Sequence, residues 1–152
     1  MEKRIIQLIK QKGIHGIEHA NRVMCLSLYL ANKLLKDYPD IDMHTILISS
    51  LLHDCGRSND RNDKFHAYKS VEIITKWVYD NNLNHNVDLI SKCVIHHNSV
   101  YKENYEIPIE AKIIADADKL DRERFRSGCN PKYLELEESK KIIWLAKLLN
   151  NK

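Results

Sequence analysis

Ile48-Ser49-Ser50-Leu51-Leu52-His53-Asp54-Cys55-Gly56-Arg57 is the stretch on which the reading of this chain turns. Ile46, Leu47, Ile48, Leu51 and Leu52 give the last turns of a buried helix, and Gly56 sits where a left-handed cap would end it. His53 and Asp54 stand side by side at its C-terminal end. Neighbours on a helix point about 100° apart, so both reach one ion only if that ion sits at the helix end. An imidazole beside a carboxylate is a mixed N/O donor pair suited to divalent transition metals. The dipeptide alone carries little weight; partners elsewhere in the chain would give it meaning.

Working outward, 152 residues suit one domain, 1–152, with a real core. At 43% hydrophobic and 30% charged residues the composition is that of a globular protein. No apolar run approaches the length of a membrane span, and Met-Glu-Lys-Arg-Ile-Ile is too quickly polar for a secretory signal. The net charge of +3 gives no case for a nucleic-acid partner. Cys25, Cys55, Cys93 and Cys129 form no C-x-x-C and read as reduced thiols, so a cytoplasmic protein is expected. Four glycines and three prolines are few for a fold rich in turns, which favours helices.

Apolar periodicity predicts seven of them. Ile5, Ile6 and Ile9 mark a helix over 2–12, stopped by Gly13. A long helix over 18–37 carries Ala20, Val23, Met24, Ser27, Leu28, Ala31, Leu34 and Leu35 as its stripe, and Pro39 ends it. Asp42 caps the third helix, which delivers His53 and Asp54. Residues 56–65 form a polar loop. Helices follow over 66–81, 87–98 and, behind Pro108, 109–122. A loop with Tyr101 and Tyr105 precedes Pro108, and Pro131 opens the last helix, 131–149, expected to pack on the rest. No period-2 pattern, repeat or low-complexity tract occurs. The expected class is all-α, with about six to seven helices in one compact domain.

Two further segments hold candidate ligands. His19 enters the long helix at its first turn, with His15 four residues before it; Gly16 argues against a helix starting early enough to pair them, placing His15 near a site rather than in it. Asp116, Asp118 and Asp121 put three carboxylates within six residues, which repel unless cations neutralise them. Asp118 neighbours the apolar face of Ile113, Ile114, Ala117 and Leu120, where a carboxylate needs a partner or a metal.

His19-x-x-Arg22-Val23, His53-Asp54 and Asp118-Lys119-Leu120 together resemble the H…HD…D signature of the HD superfamily of metal-dependent phosphohydrolases. The likeness runs from about Gly13 to Arg122. It implies a compact helical HD domain in which His19, His53, Asp54 and Asp118 hold one divalent ion, with Asp116 an alternative to Asp118. His66, His96 and His97 stand where some relatives, including the HD-GYP phosphodiesterases, hold a second metal; the alternative is that they act as substrate contacts or general acids and bases. His96-His97 is followed here by Asn-Ser-Val-Tyr, so the Gly-Tyr-Pro segment of those phosphodiesterases is missing.

The chemistry so implied is a metal-activated water attacking a phosphate ester of a nucleotide or another small phosphorylated metabolite, with one or two ions chosen from Mn, Fe, Co, Ni, Zn and Mg. Arg57, Arg61, Lys64, Lys69 and Lys119 are the candidate phosphate-binding cations. Arg22, His15 and Asp116 are candidates to support the ligands, and Arg122 to Arg126 either line the rim or cover the surface. The competing reading is a regulatory module that keeps fold and metal but turns nothing over. Monomer and homodimer both remain open, with Trp144 on the last helix packing internally or against a partner.

Overall fold

The computed structural model describes residues 5–98 and 104–150; Tyr101 and the expected helix start at residues 2–4 lie outside them. Seven α-helices lie wholly among the described residues: α1 (Ile17–Leu34), α2 (Met43–Leu52), α3 (His66–Asp80), α4 (Val87–His97), α5 (Ile109–Leu120), α6 (Glu137–Lys141) and α7 (Ile143–Asn150). Short 3₁₀ turns at Asp121–Arg124 and Pro131–Tyr133 separate α5 from α6. Among the described residues there is no strand, so the fold is all-α. No helix of the described residues is long and apolar enough to cross a membrane.

The helices divide the apolar interior into two clusters, with α2 and α4 serving both. On one side Val23, Leu26, Leu30, Ile46, Cys93, Ile113, Ile114 and Leu120 pack with Leu134, Ile142 and Ala146 from the C-terminal region. On the other, Ile48, Leu52, Ile74, Trp77, Ile90 and Val94 meet Ile5, Leu8 and Ile9. Each fully buried Leu or Ile contributes about 1.5–3 kcal/mol relative to exposure. The buried face of α1 runs through His19, Val23, Leu26, Leu30 and Leu34, so His19 begins the stripe that the apolar residues continue. That face is rotated from the expected one: Met24 and Leu28 are only half-buried, while Leu26 and Leu30 are fully buried. Asp42 caps α2, accepting from the N–H groups of His44 and Thr45, as its position implied.

Three expectations need correcting. The N-terminal segment is not a helix through Lys12: after one turn at 5–8 the chain becomes irregular. Its isoleucines fit a single turn laid on the second cluster, and the Gln11 side chain then donates to the Arg57 carbonyl at 2.7 Å. Gly56 is not a left-handed cap; the one glycine with positive φ among the described residues is Gly128. Gly56 is instead a close approach, because a Cβ there would lie 2.4 Å from the Ser70 backbone N and 2.6 Å from the His66 carbonyl O. Finally, the expected helix over 131–149 is replaced by three pieces, the 3₁₀ turn Pro131–Tyr133 and the helices α6 and α7. The buried Asp116 carboxylate accepts from the Glu135 and Leu136 N–H groups at 2.8–3.0 Å, which holds that segment extended until α6 begins.

Candidate metal centre

Five helix ends meet at one end of the bundle, and each carries a donor. The first turn of α1 supplies His19, the C-terminus of α2 supplies His53 and Asp54, α3 opens on His66, α4 closes on His97, and the last turn of α5 supplies Asp118. His53 keeps helical backbone angles as the C-cap of α2, which lets its ring and the Asp54 carboxylate address the same space. The C-terminal ends of α2, α4 and α5 present the negative pole of the helix dipole and the N-terminal ends of α1 and α3 the positive pole, so the dipoles largely offset and the donors themselves set the local charge.

Around Asp54 the donors form two groups. Its Oδ2 lies 3.6 Å from His19 Nε2 and 3.7 Å from His53 Nε2. The same two nitrogens lie 3.4 and 3.8 Å from Asp118 Oδ1, and 3.1 Å from each other. The other oxygen, Asp54 Oδ1, lies 3.1 Å from His66 Nε2 and 3.5 Å from His97 Nε2, which are themselves 3.1 Å apart. His15 reaches in from the turn before α1, with Nδ1 2.7 Å from Asp54 Oδ2. It therefore stands at the site itself, although Gly16 does cap α1 and leaves His15 outside the helix.

The remaining ring nitrogens fix what these contacts mean. His53 Nδ1 donates to the Ser50 carbonyl at 2.8 Å, and the Nδ1 atoms of His66 and His97 donate to the carbonyls of Asp63 and Val94. A carbonyl only accepts, so each Nδ1 carries a proton, and it is the Nε2 atom of each ring that is left to face the cluster. His19 Nδ1 is likewise held by the Asp121 carboxylate at 2.7 Å. Two pairs of Nε2 atoms face each other at 3.1 Å, and lone pairs so placed repel unless a proton or a cation lies between them. Asp54 Oδ1 is buried without an aligned hydrogen-bond donor. Its charge is met in part by Arg57, whose Nε lies 2.9 Å away, and the rest of its coordination is free for an ion. The donor set fits a divalent ion: neutral imidazoles oriented through Nδ1, with carboxylates on the open side.

Charges on these groups follow from the same crowding. Burial works against protonated His19, but hydrogen bonds to Asp121 and Asp54 and the Asp118 charge outweigh it and raise the ring to about 9. Burial pushes His53 down to about 4, against the pull of Asp54. Burial opposes the charged form of Asp54, yet the imidazoles crowded around it, His53 first and then His15, His19 and His66, hold it well below the usual carboxylate range. Asp118 is also lowered, burial again opposing and His53, His19 and His97 prevailing. Without a metal, one proton thus sits on His19, facing the His53 lone pair.

Above the donors opens a cavity of about 350 Å³ whose walls include His15, His97, Asp118 and the cations Arg57, Lys119, Arg122 and Arg124. Arg57 Nε lies 2.9 Å from Asp54 Oδ1. Lys119 leans toward Glu135 and Asp116, at 3.3 and 3.6 Å. Of the other expected phosphate cations, Arg61 and Lys64 are exposed on the loop and do not line this cavity. Lys69 does not line it either; it extends toward Asp63 at 3.5 Å. His96 points away from its neighbour, 2.9 Å from Glu135, and takes no part in the cluster. Asp116 is fully buried but faces the 135–136 segment, so of the two aspartates it is Asp118 that meets the histidines.

Asp121 is the residue to which the sequence reading gave no role. Fully buried, it holds His19 Nδ1, Arg22 at 2.7 and 3.2 Å, and Arg124 at 2.9 Å. Burial opposes its charge, and those partners keep the carboxyl below its usual range. Arg22, expected to support the ligands, does so through Asp121. The signal was present as a third aspartate at the end of α5 with Arg124 one turn on.

Comparison with known proteins agrees with this architecture. The sequence profile of the HD domain matches residues 16–123, more than two thirds of the chain, so this protein belongs to the HD domain family. Its fold is similar to the crystal structure of a predicted HD superfamily hydrolase from an uncultured Thermotogales bacterium. That match has a TM-score of 0.68 at 22% identity and covers 96% of this chain and 84% of the other. No curated protein matches the sequence. The four positions of the H…HD…D pattern, His19, His53, Asp54 and Asp118, are among the side chains that converge here.

Proposed function

We propose that this protein is a metal-dependent phosphohydrolase that cleaves a phosphate ester of a nucleotide or small phosphorylated metabolite. In this reading His19, His53, Asp54 and Asp118 hold one divalent ion, and His66 and His97 share Asp54 to hold a second. The observation that carries it is the division of Asp54, one oxygen toward each pair of facing Nε2 atoms, with Oδ1 lacking an aligned donor. Family membership and a structural neighbour titled a predicted hydrolase support hydrolysis as the reaction class. Bound there, divalent ions supply Lewis-acid activation of water and neutralise charge on the phosphoryl oxygens.

The chain's own residues do the rest. Asp121 and the carbonyls of Ser50, Asp63 and Val94 orient the four imidazoles through Nδ1. Arg57 and Arg122 line the cavity over the donors and take up phosphate charge. His15, partly exposed beside Asp54, is placed to hand a proton to the departing alcohol. Four free thiols, two of them buried, fit a cytoplasmic setting.

Elemental analysis of tag-free protein and of Asp54→Ala tests the reading. Two equivalents of metal in the wild type, lost in the variant together with cleavage of a phosphoester panel, are expected. Failure of the wild type to take up metal after reconstitution would overturn the mechanism. Full metal content with no ester cleaved would leave a silent binding module as the better reading.

A further inference from the structure

A second cavity, of about 280 Å³, lies where α1, α2 and α3 meet the segment between α3 and α4. Among the described residues it shares no lining side chain with the cavity over the metal donors. Its walls are apolar: Met24 from α1, Leu47, Ile48 and Leu51 from α2, and Ile5 and Ile6 from the N-terminal turn. No described carboxylate, lysine or arginine lines it. A cavity of roughly 150 Å³ holds benzene, so this one has room for a ring with a short side arm.

Four polar side chains interrupt those walls. Trp77 and His85 are nearly parallel, 12° apart with ring centroids separated by 6.3 Å, and the His44 ring stands 6.2 Å from that of His85. Asn21 adds an amide from α1. The Trp77 side chain is only 8% exposed, and its Nε1 is buried with no hydrogen-bond partner. Among the described residues the side chains of Asn21, His44 and His85 make no hydrogen bond either. An indole only donates, and imidazoles and an amide can donate beside it. A buried donor without an acceptor costs stability, which an oxygen seated at this wall would restore. One carboxylate accepts several such donors at once, and an apolar body behind it matches the rest of the lining. A cationic ligand would find no carboxylate among these walls.

We propose that this cavity is a second ligand site, separate from the metal centre, and that it takes a small apolar carboxylic acid. The ring or alkyl body lies against Met24, Leu47 and Leu51, and the carboxylate sits among Trp77, His85 and His44. The assignment is independent of the phosphohydrolase reading, because it uses none of the residues which that reading needs.

The test titrates 3-phenylpropionate and its neutral primary amide into metal-loaded wild type by calorimetry. The same titrations on Trp144→Phe follow Trp77, then the one remaining tryptophan, by fluorescence. The acid should bind with a submillimolar Kd, as expected of a ligand of about eleven heavy atoms, and change the Trp77 emission. The amide should bind about tenfold more weakly. His85→Ala should weaken the acid about tenfold, and Leu47→Glu, which sets a carboxylate on the wall, by more than that. Leu47 is exposed and His85 half-buried, so both variants fold. A carboxylate could also bind the metal, and Asp54→Ala separates the two places. Binding unchanged in Asp54→Ala supports the cavity; binding lost there but kept in His85→Ala and Leu47→Glu overturns it. Equal affinity for acid and amide, or neither heat nor a Trp77 response at millimolar acid, would overturn it as well. So would a dimer in sedimentation that binds no acid and dissociates in Leu47→Glu, since a second copy would then cover the cavity.

Discussion

Replacing Asp121 by Asn tests whether that buried carboxylate orients His19. The substitution keeps the shape and removes the charge. The amide oxygen can keep Arg22 Nε, now 2.7 Å from Oδ1, but the amide NH2 then takes the place of Oδ2. There it faces three donors: His19 Nδ1 at 2.7 Å, Arg124 Nη1 at 2.9 Å and Arg22 Nη2 at 3.2 Å. The two shorter contacts are hydrogen bonds to charged groups, worth about 1.5–3 kcal/mol each, so their loss bounds the cost at about 3–6 kcal/mol. Local relaxation and water entry around the partly exposed arginines bring the expected loss to about 3 kcal/mol. His19 also loses the acceptor that fixes Nδ1–H, which should weaken metal binding by about 10–100-fold. Urea unfolding in chelator gives the first quantity, and metal competition against a fluorescent chelator gives the second. Asp116→Asn is the control, since Asp116 is equally buried but faces Glu135 and Leu136; it should destabilise without changing metal affinity. Metal affinity within twofold of wild type in Asp121→Asn would refute the idea that Asp121 positions His19.

Other outcomes follow from single contacts. His97→Ala should lose one of two metal equivalents by elemental analysis, whereas His96→Ala should keep both, because His96 bonds Glu135 rather than Asp54. Gly56→Ala should cost about 3 kcal/mol in denaturant unfolding, since its Cβ would press on the α3 backbone at 2.4 Å and neither side can yield cheaply. A thiol reagent should label exposed Cys25 readily in the native protein and reach Cys55 and Cys93 only on unfolding, as burial raises both thiols. His19 gives a pH signature. Its ring rises from 6.5 to about 9 without metal, so its contribution to stability is complete below pH 6.5 and is lost as pH climbs through about 9. Unfolding midpoints in chelator should therefore fall over that window through this group, and a metal-loaded sample, whose ligands are already deprotonated, should not show the same fall.

The all-α class and the course of α2 were legible because apolar period and capping residues act locally, whereas the long helix expected over 18–37 already ends at Leu34. Asp42 caps α2 from its own side chain, and the apolar run Ile46–Leu52 carries the chain directly to His53. The C-terminal helix was not legible as broken, because what breaks it is the Asp116 carboxylate, 20 residues away from Leu136 in sequence. Gly56 misled for a related reason. A glycine after a helix looks like a left-handed cap, but here its missing side chain makes room for the backbone of α3, which no local pattern announces.

The two aspartates of α5 and Asp121 at its C-cap show where that limit falls within the site itself. From Asp116 to Asp118 to Asp121 the chain turns by about 200° and then about 300°, so the carboxylates leave the helix in three directions. Sequence alone gives that fan but not the rotation of the helix, and so cannot assign the directions. Packing of Ile113, Ile114, Ala117 and Leu120 into the first cluster sets the rotation. Once it is set, Asp116 meets the N–H groups of Glu135 and Leu136, Asp118 meets His19 and His53, and Asp121 meets the far side of the His19 ring. One helix thus delivers a clasp for the C-terminal segment, a donor to the cluster and the group that aims another donor. All three duties depend on the same apolar face. A substitution on that face which rotates α5, such as Leu120 to a bulkier side chain, would disturb fold and metal site together, although it touches neither directly.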